Sequence, residues 1–298
     1  MKVRIAVAAN AAGWTGRQLA AVARATEDLG FDSIWFPERA TAALPDPIAT
    51  LGFVAGATTR LKIGPSVLVV PGRNPALLAG ALASLDRLSG GRLLPAVGLG
   101  IPDRHEQAAF GVERRERAAI FDEVLPLLRR FWSGEAVTHD GPRYRYDGLR
   151  IEPTPVQDPL EVWMGGRAPS ELRRAGRLGD GWLPSFTTPT LAVEGRAVVE
   201  AAATEAGRAI DPEHWGAFVP YARAELPEAL VELLVRRGIA EDPAAVVPVG
   251  LDALRALLEG FVDVGFTKLV VSLPGDVGVD ELPDELARLA EATLDLQR

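Results

Sequence analysis

The sequence predicts an α/β fold, namely a (β/α)8 barrel of the TIM type with an insertion after its fourth strand. Short apolar runs rich in β-branched residues alternate with amphipathic segments along the chain. The runs lack polar alternation, which is typical of parallel strands buried on both faces. The chain has 298 residues, a length at which a single barrel is ordinary.

Eight segments have the composition of buried strands, and a helix or an irregular segment separates each from the next. Parallel strands need crossover connections, and these are right-handed, so the strands should follow one another around the barrel. The predicted strands are residues 3–8, 33–36, 61–70, 93–97, 161–164, 181–184, 215–222 and 268–273.

The segments between the strands carry helix start and stop signals. The first has helical apolar spacing and ends at Gly30, and the second begins with Asp46 and Pro47, an N-cap residue followed by proline in the first turn. The predicted helices cover residues 16–29, 46–58, 74–88, 117–132, 169–178, 190–206, 226–264 (with a break near 243–250) and 280–296.

Residues 101–158 interrupt this alternation of strands and helices and are predicted to form the insertion. They comprise a loop that carries His105, the helix over 117–132, and two strand-like runs on either side of Asp140-Gly141. Asp-Gly between such runs is a hairpin signal. We therefore expect a helix and a β-hairpin after strand four, lying above the strand ends.

Composition excludes several classes of partner. Acidic residues outnumber basic ones by 40 to 32 and no basic run is present, so nucleic acid is not an expected partner. No uncharged apolar stretch approaches the length of about 20 residues that a membrane helix needs. The chain has no cysteine, which excludes disulfides and thiolate chemistry and fits a reducing cytoplasm.

Motifs for several common chemistries are absent as well. The three histidines, His105, His139 and His214, have no short spacing, so no metal site is expected. A Gly-x-Ser-x-Gly nucleophile elbow and a Walker-type phosphate loop are both missing. The run Gly98-Leu99-Gly100 lacks the third glycine of a dinucleotide fingerprint.

Four strand ends remain as candidates for a site, because in a barrel they open on the same face. Glycines there let the backbone approach a flat ring, and amides ahead of the helix that begins near Pro169 could hold an anion, with Arg167 adding charge. Plain βα turns, and a surface ion pair at Glu38-Arg39, are the alternatives. The four ends are Glu38-Arg39, Ser66-Val67-Leu68, Gly98-Leu99-Gly100 and Gly165-Gly166-Arg167.

Several blocks together resemble the luciferase-like monooxygenase family and its deazaflavin-dependent oxidoreductases. They are residues 61–71 (LKIGPSVLVVP), 85–92 (LDRLSGGR), 97–100 (VGLG), 152–157 (EPTPVQ), 162–166 (VWMGG), 179–182 (GDGW) and 265–271 (GFTKLVV). The resemblance covers nearly the whole chain. It implies one (β/α)8-barrel domain over residues 1–298, often assembled as a homodimer, that uses FMN or coenzyme F420.

The same resemblance implies where the cofactor lies. A non-proline cis peptide between Ser66 and Val67 is expected to bulge toward the back of its ring. The residues assigned to the cofactor are Glu38, Ser66, Val67, Leu68, Gly98, Gly100, Gly165, Gly166 and Arg167.

The sequence departs from the deazaflavin-dependent sugar-phosphate dehydrogenases of the family. They carry an Asp-His pair where this chain has Glu38-Arg39, and acids where it has residues 10–13 and Ile101. Without those groups, proton abstraction from a sugar hydroxyl lacks its base.

We therefore predict hydride transfer between coenzyme F420 and another small organic substrate. In this interpretation Arg39 stabilises the anionic reduced ring or an anionic substrate, and His105 is the candidate for proton transfer. An FMN-dependent monooxygenase and a catalytically silent flavin-binding protein are the alternatives.

Overall fold

Parallel strands joined by helices run through the computed structural model, which describes residues 2–236 and 238–297. Each predicted strand is present, with shorter bounds in most cases. The strands are β1 (Arg4–Ala8), β2 (Ser33–Phe36), β3 (Lys62–Pro65), β4 (Leu68–Val69), β5 (Ala96–Gly98), β6 (Val137–Asp140), β7 (Arg145–Leu149), β8 (Trp163–Met164), β9 (Gly181–Trp182), β10 (Gly216–Pro220) and β11 (Lys268–Ser272).

The strands close into a barrel. One sheet has the order β10-β11-β1-β2-β3 and the other the order β4-β5-β8-β9. Parallel bridges from Ile63 to Leu93 and from Trp182 to Trp215 join the two sheets at both edges. β3 and β4 are the two halves of the predicted third strand, separated at Ser66-Val67, where the expected cis peptide bond is present. The (β/α)8 barrel is therefore confirmed.

Helices follow the strands and begin and end largely where their signals predict. Thr15 forms a capping box with Gln18, and the Asp46 carboxylate accepts from the amides of Ile48 and Ala49. The helices are α1 (Gly16–Leu29), α2 (Pro47–Ala57), α3 (Pro75–Ser89), α4 (Arg104–Phe110), α5 (Arg117–Trp132), α6 (Pro169–Leu178), α7 (Pro189–Glu205), α8 (Glu228–Arg236), α9 (Leu251–Asp263) and α10 (Leu282–Thr293).

Two features of the insertion differ from expectation. The segment predicted as a loop around His105 contains the short helix α4, because the Asp103 carboxylate caps the amides of His105 and Glu106. The β6–β7 hairpin lies on the outside of the barrel rather than above the strand ends, since His139 Nε2 lies 3.0 Å from Glu123 Oε1 of α5. α5 itself packs between α3 and α6, in the position of an ordinary barrel helix.

Large aromatic side chains fill the barrel interior. Trp35 and Trp163 are buried there among small residues such as Ala6 and Ala96. Glycines on neighbouring strands make room for them, because a Cβ on Gly64, which pairs with Trp35, would lie 2.6 Å from the Trp35 ring. The larger core lies between the strands and the outer helices. Among the residues described, no helix is both long and apolar enough to cross a membrane.

A buried ion cluster closes the opposite, N-terminal end of the strands. Asp32 Oδ1 lies 2.9 Å from Lys62 Nζ, and Asp32 Oδ2 lies 2.6 Å from Lys268 Nζ. Burial opposes ionisation of Asp32, but the two ammonium groups outweigh it and hold the pKa of this carboxyl well below its usual value. Burial lowers the pKa of Lys268 to about 8, against the attraction of Asp32. The cluster therefore depends on Asp32.

Candidate functional site

A cavity of about 660 Å³ opens at the C-terminal ends of the barrel strands. This is the face on which barrel enzymes place their sites, and the volume suits a small molecule or cofactor. Of the residues predicted from sequence, those that line it are Glu38, Arg39, Ser66, Val67, Gly98, Gly100, Gly165 and Gly166. The structure thus brings the four predicted strand ends together around one space.

Three predicted site residues do not reach this cavity, and the first two are Leu68 and His105. The Leu68 side chain is fully buried in the core outside the barrel, because side chains alternate along a strand and its neighbours Val67 and Val69 face inward. His105 is exposed on α4, with its Nε2 3.1 Å from Arg104 Nε. The structure corrects both placements, and it leaves the proposed proton transfer without its histidine.

The anion position expected beside Gly166 is occupied by a carboxylate of the chain. Glu171 Oε2 accepts from the backbone amides of Arg167 and Ala168, both at 3.0 Å. The Arg167 guanidinium turns away and donates to the carbonyl oxygen of Phe186 at 2.5 Å. Arg167 therefore does not line the cavity, and an external anion at these amides would have to displace Glu171.

Ser66 and Val67 form the wall of the cavity at the interruption of the third strand. The Ser66 hydroxyl is buried and has no hydrogen-bond partner in the structure. Gly98 lies opposite, and a Cβ there would be 2.6 Å from Val67 Cγ2. Gly100 has a φ of +76°, and a Cβ on it would be 3.1 Å from Val69. Both glycines thus accommodate the neighbouring valines, a role that the strand-end pattern alone did not indicate.

Glu38 is a buried link between strands and not half of a surface ion pair. Its Oε2 accepts from the Val69 amide at 2.6 Å, and its Oε1 accepts from the Arg73 guanidinium. Burial raises the pKa of Glu38, and the nearby Arg73 charge only partly opposes that shift. The carboxylate fixes the end of β2 to β4 on the edge of the cavity.

Glu106, a residue that the sequence did not single out, organises the loop after β2. Its carboxylate accepts from the Ala40 amide at 3.1 Å, the Thr41 amide at 3.0 Å, the Thr41 hydroxyl at 2.5 Å and Arg39 Nε at 3.2 Å. The Glu106 side chain is 5% exposed, whereas that of Arg39 is 42% exposed. Burial opposes ionisation, but the bonds from Thr41 and Ala40 hold the pKa of Glu106 below its usual value. The N-cap signal at Asp103 could have revealed the helix that carries it.

Arg117 is a second residue missed in the sequence. Its Nη1 donates to the carbonyl oxygens of Leu99, Gly100 and Ile101 at 3.1, 2.8 and 2.9 Å. All three residues follow β5 and line the cavity. A cation from α5 thus fixes the backbone that carries Gly100, and only the fold reveals this contact.

The sequence model of the luciferase-like monooxygenase family matches residues 2–258. The chain belongs to this family. The F420-dependent glucose-6-phosphate dehydrogenase of Nakamurella multipartita is 33% identical over 229 residues, which span 70% of this chain and 64% of that protein. The enzyme of the same name from Kineococcus radiotolerans is 29% identical over 92% of each chain.

A solved structure of the same fold carries a different cofactor. The oxygenating constituent of 3,6-diketocamphane monooxygenase from Pseudomonas putida, in complex with FMN, superposes with a TM-score of 0.81. It is 17% identical, and the superposition covers 97% of this chain and 96% of that one. At this identity the likeness concerns the fold alone.

The cavity of this family member has few groups able to move a proton. Its ionisable lining residues are Glu38, Arg39, Glu171 and Arg174, and each is already paired or hydrogen-bonded. Histidine, lysine and tyrosine are absent from the lining among residues 2–236 and 238–297. The same part of the chain holds no cluster of His, Asp and Glu suited to a metal ion.

Proposed function

We propose that this chain is an oxidoreductase that binds coenzyme F420 in the cavity at the strand ends and transfers a hydride between it and a small organic substrate. The observation that carries the proposal is the cavity wall at Ser66 and Val67, which lines a space of about 660 Å³ and includes a buried hydroxyl that has no partner. The names of the Nakamurella and Kineococcus relatives supply the identity of the cofactor.

The residues present fit a flat ring with polar edges. A buried hydroxyl without a partner is costly. Because Ser66 lines the cavity, rotation about its Cα–Cβ bond would bring the hydroxyl to a ring heteroatom or carbonyl that satisfies it. Val67 and Gly98 form a continuous apolar surface next to that hydroxyl. Gly165 and Gly166 line the same cavity at the next strand along the barrel and leave the backbone accessible.

When bound, the deazaflavin supplies a ring carbon that accepts or donates a hydride. The chain itself contributes binding, orientation and exclusion of water, which are the effects that hydride transfer needs most. Arg39 stands at the cavity edge, held by Glu106, where it would attract an anionic ring or ligand.

An uncharged organic substrate suits the remaining wall better than a sugar phosphate. Abstraction of a hydroxyl proton requires a base within hydrogen-bond reach. Asn10 and Ser185 are polar but not basic, and the carboxylates of Glu38 and Glu171 are engaged with donors of the chain. An activated alkene therefore fits the cavity better than an alcohol, because water can supply the proton that completes hydride addition to it.

The test is a fluorescence titration of the purified protein with F420 and, separately, with FMN. We expect F420 to bind more tightly. Arg39→Ala should weaken F420 binding by about fivefold or more, as expected for a lost charge contact of about 1 kcal/mol. Arg104→Ala, which removes an exposed arginine of α4, is the matched control. Tighter binding of FMN would instead favour the monooxygenase, and binding of neither would remove the proposal.

A homodimer and a single domain over residues 1–298 also belong to this proposal. Large apolar side chains are exposed on neighbouring helices, with Leu77 and Leu88 on α3 at 75% and 83% and Phe53 on α2 at 47%. The absence of cysteine fits a cytoplasmic protein. Light scattering during gel filtration measures the assembly, and a monomer at micromolar concentration would contradict the dimer.

A further inference from the structure

The backbone at Phe186 is unusual in a way that bears on the cavity. Phe186 has a φ of +51°, and no other non-glycine residue among residues 2–236 and 238–297 has a positive φ. A left-handed conformation costs an ordinary residue about 1–2 kcal/mol, and a bulky aromatic residue rarely adopts it. The surrounding structure must therefore hold Phe186 in place.

Arg167 is the group that holds this backbone. Its Nη1 donates to the Phe186 carbonyl at 2.5 Å and to the Ile239 carbonyl at 3.3 Å. Arg167 follows the fifth barrel strand, Phe186 follows the sixth, and Ile239 follows α8. One guanidinium thus joins three separate segments at the edge of the cavity.

The Phe186 side chain contacts both the cavity and a separate apolar cluster. It lines the cavity at the strand ends. It also packs against a small core formed by Leu234, Val246 and Val247, which is separate from the main core of the barrel. The ring is therefore a shared wall between the cavity and the α8 region.

Most of the wall on this side is apolar or small, and Asn10, Glu38 and Arg39 are its polar exceptions. The cofactor proposal assigns Ser66, Val67 and the glycines after β5 and β8 to the ring, which leaves the wall formed after the remaining strands for the substrate. Among the residues that line it are Ala9, Ala12, Ala42, Ala43, Leu44 and Phe218. Phe186 and Phe218 are its only aromatic members among the described residues of that wall.

We propose that Phe186 determines which apolar, uncharged substrates the cavity accepts, and that Arg167 is the positioning residue that keeps its ring there. The proposal rests on the proposed function, because that function assigns the other wall to the cofactor. It gives Arg167 a role different from the anion contact expected from the sequence.

The test uses two neutral fluorescent probes of different length, N-phenyl-1-naphthylamine and 1,6-diphenylhexatriene, and measures their Kd values with the full chain. Phe186→Ala opens the wall, so we expect the ratio of the two Kd values to shift toward the longer probe by about tenfold, equivalent to about 1.4 kcal/mol. Phe186→Leu should give a smaller shift in the same direction. Phe53→Ala, which removes an exposed ring on α2, is the control.

Arg167→Met should shift the ratio of the two Kd values in the same direction. Arg167→Lys, which keeps a cation, should give a ratio closer to that of the wild type. If Arg167 acts through the ring, Arg167→Met will have no further effect on the Kd ratio in the Phe186→Ala background, because the ring is absent there. The double-mutant cycle is then non-additive. Arg173→Met, at an exposed position of α6, is the matched control. An additive cycle would overturn the positioning role.

The role of Phe186 in selecting substrates would be overturned if the ratio of Kd values in Phe186→Ala stayed within twofold of wild type while circular dichroism showed an intact fold. F420 titrations of the same variants separate this result from the cofactor proposal. Failure of the wild type to bind F420 refutes the proposed function, whereas a probe ratio unmoved by Phe186→Ala refutes only the inference about Phe186.

Discussion

Replacing Glu106 with alanine should release the loop after β2 without unfolding the barrel. The carboxylate accepts four hydrogen bonds from Arg39, Ala40 and Thr41. A net hydrogen bond contributes about 0.5–1.5 kcal/mol, so four would sum to about 2–6 kcal/mol. The donors are on exposed residues and regain water when the loop opens, which favours the lower end, about 2–3 kcal/mol.

This energy applies to docking of the loop, which includes the cavity residues Arg39, Ala42, Ala43 and Leu44. Amides of residues 39–44 should lose protection from hydrogen exchange by about 30-fold or more, because an opening free energy reduced by 2 kcal/mol changes the open population by that factor. F420 affinity should fall by about tenfold if the docked loop is the binding-competent form. The unfolding temperature should change by only a few degrees, since the main core is untouched.

Hydrogen exchange followed by mass spectrometry measures the loop directly, and it does not depend on the identity of the cofactor. Glu113→Ala is the matched control, because Glu113 follows the same helix and makes an exposed pair with Arg115. Unchanged exchange over residues 39–44 in Glu106→Ala would show that Glu106 does not hold this loop. Equal changes in both variants would do so as well.

The other predictions concern stability and packing. Asp32→Ala should lower the free energy of unfolding, measured by urea titration, by about 3–5 kcal/mol, because it leaves two lysine ammonium groups clustered without their carboxylate. In the same titration, the control Asp28→Ala on the exposed face of α1 should change it by less than about 0.5 kcal/mol. The pKa of Asp32 is lower in the folded chain than in the unfolded chain, so its contribution is present above about pH 4 and is lost as the pH falls further; acid titrations of Asp32→Asn should lack that part of the slope. Gly98→Ala should destabilise the chain by about 1–3 kcal/mol through the clash with Val67, and it should weaken F420 binding. Gly56→Ala, at a position of α2 with open space around it, should stabilise the chain by about 0.5–1 kcal/mol. A higher unfolding temperature for Gly98→Ala than for Gly56→Ala would contradict both expectations.

The elements of the barrel were predictable because their signals are local. Asp46 and Pro47 begin α2, Gly30 ends α1, and the apolar runs are the strands, so each could be recognised within a short window. The convergence of the strand ends then followed from the topology of a barrel. Helix α4 was missed because it is short and its signal is one N-cap residue, Asp103.

Side-chain direction and distant partners could not be predicted in this way. Leu68 and Val67 are neighbours in the chain, yet only the register of the interrupted strand decides which of them faces the cavity. Arg167 turns to a carbonyl 19 positions away, and Glu106 bonds to residues more than 60 positions away. Such contacts exist only after the strands have closed.

The most direct test of F420 binding at the strand ends is a crystal structure of the complex. We predict that the ring lies in the cavity at the strand ends, against Val67, with the Ser66 hydroxyl within hydrogen-bond distance of a polar ring atom. A ring bound elsewhere, or one in the cavity that leaves Ser66 without a partner, would contradict it.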